Sequence, residues 1–291
     1  MNRIKYELSP NPVPTISWIE YCLAIEDEFQ KLLDTYPNNE SKFQDFFERN
    51  PCYLPGAFEL RDLSGHGPHL NCLISQPSIG SECVRKPDFL WLAQDSLTFC
   101  PVFIEIEKPS KKTFTISRNT SSDFSQAMDQ IREWKALLNK PHNRTTFYES
   151  YNLPKTVIDK SFSPQYILIY GRRNEYENDV FLSNKRAELQ SNDTLIMSYD
   201  RLKPRYDSQN MVCVNVTNKT GTTKYNVKRI PPVFRLDARK SSDYPEWNNF
   251  IEAVDTMELT SAERKKFLKE RFRYWKEIGP TLHSFSGYTE E

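Results

Sequence analysis

The chain has 291 residues, of which 38% are hydrophobic, and this composition suits a globular protein that can bury a substantial core. Lysine plus arginine equals aspartate plus glutamate at 39 each, so the net charge is zero and gives no bulk electrostatic argument for nucleic acid binding. No apolar run approaches the length of a membrane helix, and the N-terminus lacks the apolar core of a signal peptide. These features predict a cytoplasmic protein that does not enter a membrane.

The cysteines and histidines give weak signals. Six cysteines are scattered without CxxC spacing, and a chain of this length does not need disulfides, so we expect reduced packing residues. His66, His69 and Cys72 have a spacing that a zinc site could use, but without a second ligand pair we interpret them as loop. No GxSxG motif, phosphate-binding glycine loop or dinucleotide fingerprint is present, which argues against hydrolase, kinase and dehydrogenase functions of those types.

The first part of the chain predicts two consecutive helices. Residues 17–35 have apolar positions at helical spacing, and Pro37 ends this helix. The second helix has Asn39 as its N-cap, Glu40 in its first turn and Pro51 as its stop. The loop-rich stretch that follows contains a strand candidate, "HLNCLIS".

Residues 86–109 predict a β-hairpin, because they form two apolar, aromatic-rich runs joined by a polar turn around Asp95 and Ser96. A turn centred there places Asp88 opposite Phe103 and diagonal to Glu105. Since side chains alternate along a strand, Asp88, Glu105 and Glu107 share one face of the hairpin. The other face is apolar, and we expect its Ile104 and Ile106 to be buried beneath the later helix that contains Trp134.

Three carboxylates on one face repel one another and raise one another's pKa unless a cation or hydrogen-bond donors neutralise them. Mg²⁺ would do so, because it prefers oxygen ligands and commonly takes one or two carboxylates together with water and a substrate phosphate. The alternative is an edge strand whose glutamates are solvated and protect it from aggregation.

The rest of the chain alternates helices and strands. Ser122 is a candidate cap for a helix that turns Phe124, Ala127, Ile131, Trp134 and Leu138 inward. "PQYILIYG" is typical of a central strand, "SNKRAELQSN" of a short helix and "DTLIMSYDRL" of another strand.

Beyond Pro204 we predict a hairpin that turns near Gly221 and two closing helices, the second with a capping box from Thr260 to Glu263. The sequence thus predicts an α/β protein with a mixed sheet. We divide it into an N-terminal helical segment (1–37), a core (38–204) and a C-terminal hairpin and helical extension (205–291).

Four segments carry a family resemblance: "ESKFQDFFERNP", "RKPDFLW", "PVFIEIEKPSKKTFT" and "SDFSQAMDQIREWKALL". In this order they resemble the Shedu anti-phage defence proteins, within the PD-(D/E)XK nuclease superfamily. The resemblance covers residues 40–199, and its specificity comes from the order and spacing of motifs that are individually weak. It implies a restriction-endonuclease-like core in which helices flank a central mixed β-sheet.

The resemblance also implies roles for individual residues. Asp88 and Glu105 match the two metal-binding carboxylates of the superfamily. Gln130, followed by Trp134, fits a glutamine-x-x-x-aromatic pattern in which the amide could orient a water or a phosphate. Glu40 matches a glutamate that some branches use as an additional metal ligand.

One position departs from the superfamily pattern, which has lysine two residues after the second acid. Here that position is Glu107, and the lysine is Lys108. Strand alternation points Lys108 away from the acids unless a bulge turns it back. We therefore expect Glu107 to point into the acidic pocket, where it could bind metal or accept a proton as in some restriction-type nucleases, while Lys108 stays a candidate for steering phosphate.

The activity implied by the resemblance is hydrolysis of phosphodiester bonds in phage or foreign DNA with Mg²⁺ or Mn²⁺. Basic residues near the acids are candidates for holding the DNA backbone: Arg85, Lys86, Lys108, Lys111 and Lys112. The resemblance also implies a homo-oligomer, with a tetramer as one option. A nuclease-fold module that has lost activity and binds DNA or a protein partner is the alternative, and an unrelated α/β scaffold with incidental acids is the third.

Overall fold

The computed structural model describes residues 6–9, 11–59, 67–79, 86–219, 221–281 and 291. The helices are α1 (Trp18–Thr35), α2 (Glu40–Arg49), α3 (Ser122–Asn139), α4 (Pro141–Ser150), α5 (Lys155–Ile158), α6 (Val180–Ala187), α7 (Phe250–Asp255) and α8 (Ala262–Ile278). The strands are β1 (Cys72–Ser75), β2 (Phe89–Gln94), β3 (Thr98–Ile106), β4 (Ser161–Phe162), β5 (Gln165–Ile169), β6 (Thr194–Met197), β7 (Val212–Lys219), β8 (Thr222–Arg229) and β9 (Trp247–Asn248).

All the strands in the described ranges join one 9-stranded sheet in the order β6-β5-β3-β2-β1-β7-β8-β9, with β4 paired to β3. β6, β5 and β3 are parallel, whereas β2 runs antiparallel to both of its neighbours. β7 pairs parallel to β1 and antiparallel to β8. The predicted α/β fold with a central mixed sheet flanked by helices is confirmed.

Local capping explains where two helices begin, and it corrects both predicted caps. Ser121 is the N-cap of α3, where its hydroxyl accepts a hydrogen bond from the Phe124 N–H, and the predicted cap Ser122 is the first helical residue. Ser261 caps α8 in place of Thr260. In both cases the capping hydroxyl belongs to the neighbouring residue, a one-residue difference that composition does not resolve.

The hairpin register differs from the prediction by two residues. Phe89 pairs with Ile104 and Gln94 with Phe99, so Phe103 faces Leu90. The Asp95 carboxylate accepts hydrogen bonds from two N–H groups of the turn and so centres the turn one residue later than expected. Asp88 directly precedes β2, and extension of this register places it opposite Glu105 and closer to that acid than predicted.

Both faces of β3 are buried. Ile104 and Ile106 pack in the apolar cluster that contains Phe43 of α2, whereas Phe103 packs in the cluster that contains Trp134 of α3. The prediction that the two isoleucines are buried is confirmed, but their placement beneath the Trp134 helix is wrong. Alternation separates the faces of a strand without indicating which helix covers each face.

The C-terminal segment extends the same sheet. Gly221 has φ +78 at the turn between β7 and β8, as predicted for this hairpin. Lys228 of β8 forms an ion pair with the buried carboxylate of Glu48 in α2, with 2.6 Å between Nζ and Oε1. A parallel strand pair and a buried contact therefore tie this segment to the preceding core.

None of the helices in the described ranges combines the length and apolarity that a membrane span requires. Five cysteines lie in these ranges and are reduced, whereas Cys83 and His66 lie outside the described residues. Burial lowers the pKa of His69 to about 4, and its carbonyl accepts a weak hydrogen bond from the Cys72 thiol. Cys72 begins β1 and His69 lies in the short 3-10 helix before it, so the interpretation of this segment as loop is wrong for Cys72.

Candidate metal and phosphate site

Asp88 and Glu105 form the centre of the candidate site. Asp88 Oδ2 accepts a hydrogen bond from the Ile106 N–H at 2.8 Å, which fixes this carboxylate against the end of β3. Glu105 is 7% exposed, and its Oε1 accepts a hydrogen bond from Gln130 Nε2 of α3 at 2.7 Å. Strand pairing and one helix thus bring together three residues that are far apart in the sequence.

Burial and neighbouring acids raise the pKa of both carboxyl groups of this pair. Burial, followed by the charges of Glu40 and Glu107, raises the pKa of Asp88 to about 7, although the Ile106 N–H acts in the opposite direction. Burial, followed by Asp88 and Glu107, raises the pKa of Glu105 well above its usual range. The charge of Asp88 is among the causes that raise the pKa of Glu105, so one proton on the pair relieves their repulsion.

One oxygen of the pair lacks a donor. Within the described part of the chain, the buried Glu105 Oε2 has no hydrogen-bond donor. When both carboxylates are ionised, neither can donate to the other, and an unsatisfied buried oxygen is costly. The pair therefore needs either a proton or a bound cation.

Glu107 continues the hydrogen bonding between β3 and β5 beyond the end of β3. Its N–H donates to the Ile169 carbonyl at 2.9 Å, and its own carbonyl accepts a hydrogen bond from the buried Tyr199 hydroxyl at 2.6 Å. Its carboxylate is 2.6 Å from Lys111 Nζ, because a turn between Lys108 and Lys111 folds the chain back. Glu107 therefore already has a cationic partner.

Lys108 is the first residue of the turn that ends at Lys111. It is exposed and lines a surface cavity with Glu40 at the start of α2. Burial and Glu107 raise the pKa of Glu40, whereas Lys111 and Lys108 act to lower it. The charge of Glu107 is among the causes that raise the pKa of both Asp88 and Glu105, whereas the charge of Lys108 is not.

The acids of the described ranges do not supply a complete set of metal ligands. No group of three or more His, Cys, Asp or Glu side chains in the described ranges is placed to hold a metal ion. The four-acid ligand set of Asp88, Glu105, Glu107 and Glu40 therefore stays a prediction. The Asp88–Glu105 pair nevertheless fits Mg²⁺, because Glu105 Oε2 is available as a ligand. Mg²⁺ commonly takes one or two carboxylates and completes its shell with water and phosphate.

Two further residues position the site, and no sequence pattern pointed to them. Tyr199 lies beneath the acids, and burial followed by Asp88, Glu40, Glu107 and Glu105 raises its pKa well above its usual range. Gly171 has φ +64, and a Cβ there would lie 2.6 Å from the Lys111 carbonyl oxygen. Aromatic and glycine residues at strand ends are too common for either to be identified from one sequence.

The predicted DNA-binding residues that the structure describes differ in exposure and in their contacts. Lys86 and Lys112 are exposed, and Lys111 is drawn against Glu107. Arg85 lies outside the described residues. The contribution of these residues to DNA binding stays a prediction.

Comparison with known proteins gives one informative match. The family model described as Shedu protein SduA, C-terminal, matches residues 37–202, which is more than half of the chain. The matched range includes Glu40, Asp88, Glu105, Gln130 and Tyr199. A search of curated proteins finds no significant match. The extent of the family match shows that this chain belongs to the Shedu family.

Proposed function

We propose that this chain is a metal-dependent DNA endonuclease with a PD-(D/E)XK-type site that acts in anti-phage defence. Membership of the Shedu family suggests the defence role. The observation that carries the nuclease proposal is the Asp88–Glu105 pair, in which the buried Glu105 Oε2 has no hydrogen-bond donor among the described residues and so needs a positive partner.

In this proposal Asp88 and Glu105 hold Mg²⁺ or Mn²⁺, which when bound supplies an activated water and stabilises charge on the scissile phosphate. The Gln130 amide holds Glu105 Oε1 and leaves Oε2 for the ion. The Ile106 N–H holds Asp88 in the same way. Such outer contacts orient metal ligands and raise affinity.

A second candidate function is a nuclease-fold module that binds DNA or a protein partner without cutting. Its support is the absence of a third metal-binding side chain in the described ranges, together with the engagement of Glu107 by Lys111. Both functions share the fold, so only turnover separates them.

The decisive experiment is cleavage of supercoiled plasmid with Mg²⁺ or Mn²⁺ against an EDTA control. We expect Asp88→Asn and Glu105→Gln to reduce the rate by at least about 100-fold, since each removes a ligand charge. The matched control is Asp129→Asn, an exposed acid of α3 next to Gln130, which should cut at the wild-type rate. Wild-type cutting by both site variants would refute the nuclease proposal. Metal-dependent DNA binding without cutting by the wild-type protein would favour the second function.

The assembly state is part of the proposal. Ile19 and Leu23 of α1 are large apolar side chains, 71% and 64% exposed, and lie one turn apart on the same helix. Light scattering of the purified protein tests for the homo-oligomer. A monomer at all concentrations would refute this part of the proposal.

A further inference from the structure

The Glu107–Lys111 ion pair is more protected than an ordinary surface pair. Its side chains are 15% and 24% exposed, whereas those of the Asp27–Lys31 pair on α1, with the same spacing, are 64% and 72% exposed. A pair shielded from solvent is screened less and interacts more strongly.

The backbone holds Lys111 at this place. Its N–H donates to the Lys108 carbonyl at 3.0 Å, and its own carbonyl packs against Gly171, where a larger residue would not fit. Just beyond, the Glu175 carboxylate accepts hydrogen bonds from the N–H groups of Thr113 and Phe114. The segment is therefore anchored on both sides of Lys111, and its side chain stays beside the acids.

The charge of Lys111 acts on the outer part of the acid group. Its charge opposes the rise that burial and Glu107 cause in the pKa of Glu40, and it pairs directly with Glu107. Glu107 in turn raises the pKa of Asp88 and Glu105. An incoming phosphate would compete with Glu107 for this ammonium, because lysine binds phosphate as a point charge.

We propose that Lys111 is an exchangeable latch: it holds Glu107 while DNA is absent and transfers to a DNA phosphate when DNA binds, which frees Glu107 to face the metal. This inference rests on the proposed metal-dependent nuclease function. It assigns Lys111 a role in coupling metal and DNA binding, beyond a backbone contact. Because coupling is reciprocal, bound metal must also strengthen DNA binding through this residue.

The test measures Mn²⁺ affinity by titration calorimetry, with and without a short duplex of phosphorothioate DNA that resists cleavage. Without DNA, Lys111→Met should bind Mn²⁺ roughly three- to tenfold more tightly than wild type, since it removes a nearby cation and frees Glu107. The tightening caused by the duplex should shrink by a similar factor. Lys111→Arg, which keeps the charge, should resemble wild type.

Lys31→Met is the matched control, because it breaks the exposed pair of the same spacing, and its Mn²⁺ affinity should equal that of wild type. Unchanged or weaker Mn²⁺ binding by a folded Lys111→Met protein would overturn the latch. Asp88→Asn separates the two proposals: if it binds Mn²⁺ as wild type does, the metal site and the latch that depends on it are both refuted. Loss of binding in Asp88→Asn together with an unchanged Lys111→Met refutes the latch alone.

Discussion

At the scale of single residues, the site combines buried acids with a few neutral groups that fix their orientation. Gln130 and the Ile106 N–H each hold one carboxylate, and the Tyr199 hydroxyl holds the backbone at Glu107. The bond to the neutral Glu107 carbonyl is worth about 1 kcal/mol in net stability, and a bond to an ionised carboxylate about 1.5 to 3 kcal/mol. Their larger contribution is to determine where the charged oxygens point.

Tyr199→Phe tests this positioning. We expect a stability loss of about 1 kcal/mol and a roughly tenfold slower cleavage rate, because the Glu107 carbonyl loses its donor. Tyr225→Phe is a matched control, since its buried hydroxyl also donates to a backbone carbonyl, that of Tyr151, at 2.6 Å. It should lose similar stability in urea unfolding but keep the cleavage rate. Equal cleavage by both variants would contradict the role of Tyr199.

The pKa of Asp88 predicts how the stability of the metal-free protein depends on pH. The native pKa of about 7 exceeds the ordinary value of an unfolded aspartate, so the native state binds the proton more tightly. This stabilisation is complete below pH of about 4 and is lost as the pH rises through about 7. We expect the free energy of unfolding to fall by about 1 to 3 kcal/mol over that range.

Asp88→Asn should flatten this decline and raise the stability at pH 8, as measured by urea unfolding in EDTA. Mg²⁺ should stabilise the wild-type protein more at pH 8 than at pH 5, since the ion must displace the proton. A wild-type protein that becomes more stable between pH 5 and pH 8, by an amount that Asp88→Asn abolishes, would contradict the assignment.

At the scale of elements, the end of β5 controls the position of the turn that follows β3. Gly171 lies just beyond Ile169, the last residue of β5, and its carbonyl accepts a hydrogen bond from the Tyr199 N–H at 3.1 Å. Gly171→Ala adds a Cβ that meets the Lys111 carbonyl at 2.6 Å and adds strain from the positive φ.

We expect Gly171→Ala to lose about 1 to 3 kcal/mol of stability and to displace the Lys111 turn. Cleavage should therefore fall more than it does in Gly221→Ala, the control at the β7–β8 turn. That glycine also has a positive φ, but no atom of the described residues outside its immediate chain neighbours lies within 4 Å of its added Cβ. If both variants cut equally well, the close approach at Gly171 does not position the site.

At the scale of the whole molecule, the sheet connects the site to the C-terminal segment. Lys228 lies on β8 and reaches the Glu48 carboxylate in α2, which also accepts a hydrogen bond from the Ser75 hydroxyl of β1. Because Glu48 is 4% exposed, removal of its cationic partner leaves a charge with little access to water.

Lys228→Met should therefore destabilise the whole protein by about 1 to 3 kcal/mol in one cooperative unfolding transition. Lys31→Met, which breaks an exposed pair, should cost less than about 1 kcal/mol. Denaturant unfolding followed by both fluorescence and circular dichroism provides the measurement. Separate transitions for the two probes would show that the C-terminal strands unfold independently of the core.

The sequence by itself determined the features that depend on local pattern. Helical spacing and proline stops indicated α1 and α2, and the inward residues of α3 were predicted and are buried. Alternation placed Ile104 and Ile106 on one face of β3, and both are buried in one apolar cluster. The ordered motifs were enough to indicate the Shedu family, because they depend on residue identity and spacing alone.

Only the tertiary structure decided the relations between segments. The register that brings Asp88 to Glu105 depends on the hydrogen bonds of the Asp95 turn, and the position of Ile104 beneath α2 depends on which helix packs on which face. The pairing of Lys111 with Glu107 requires a turn and a glycine from a separate strand end. Each is set by packing between parts of the chain that are distant in sequence, and no local periodicity records such contacts.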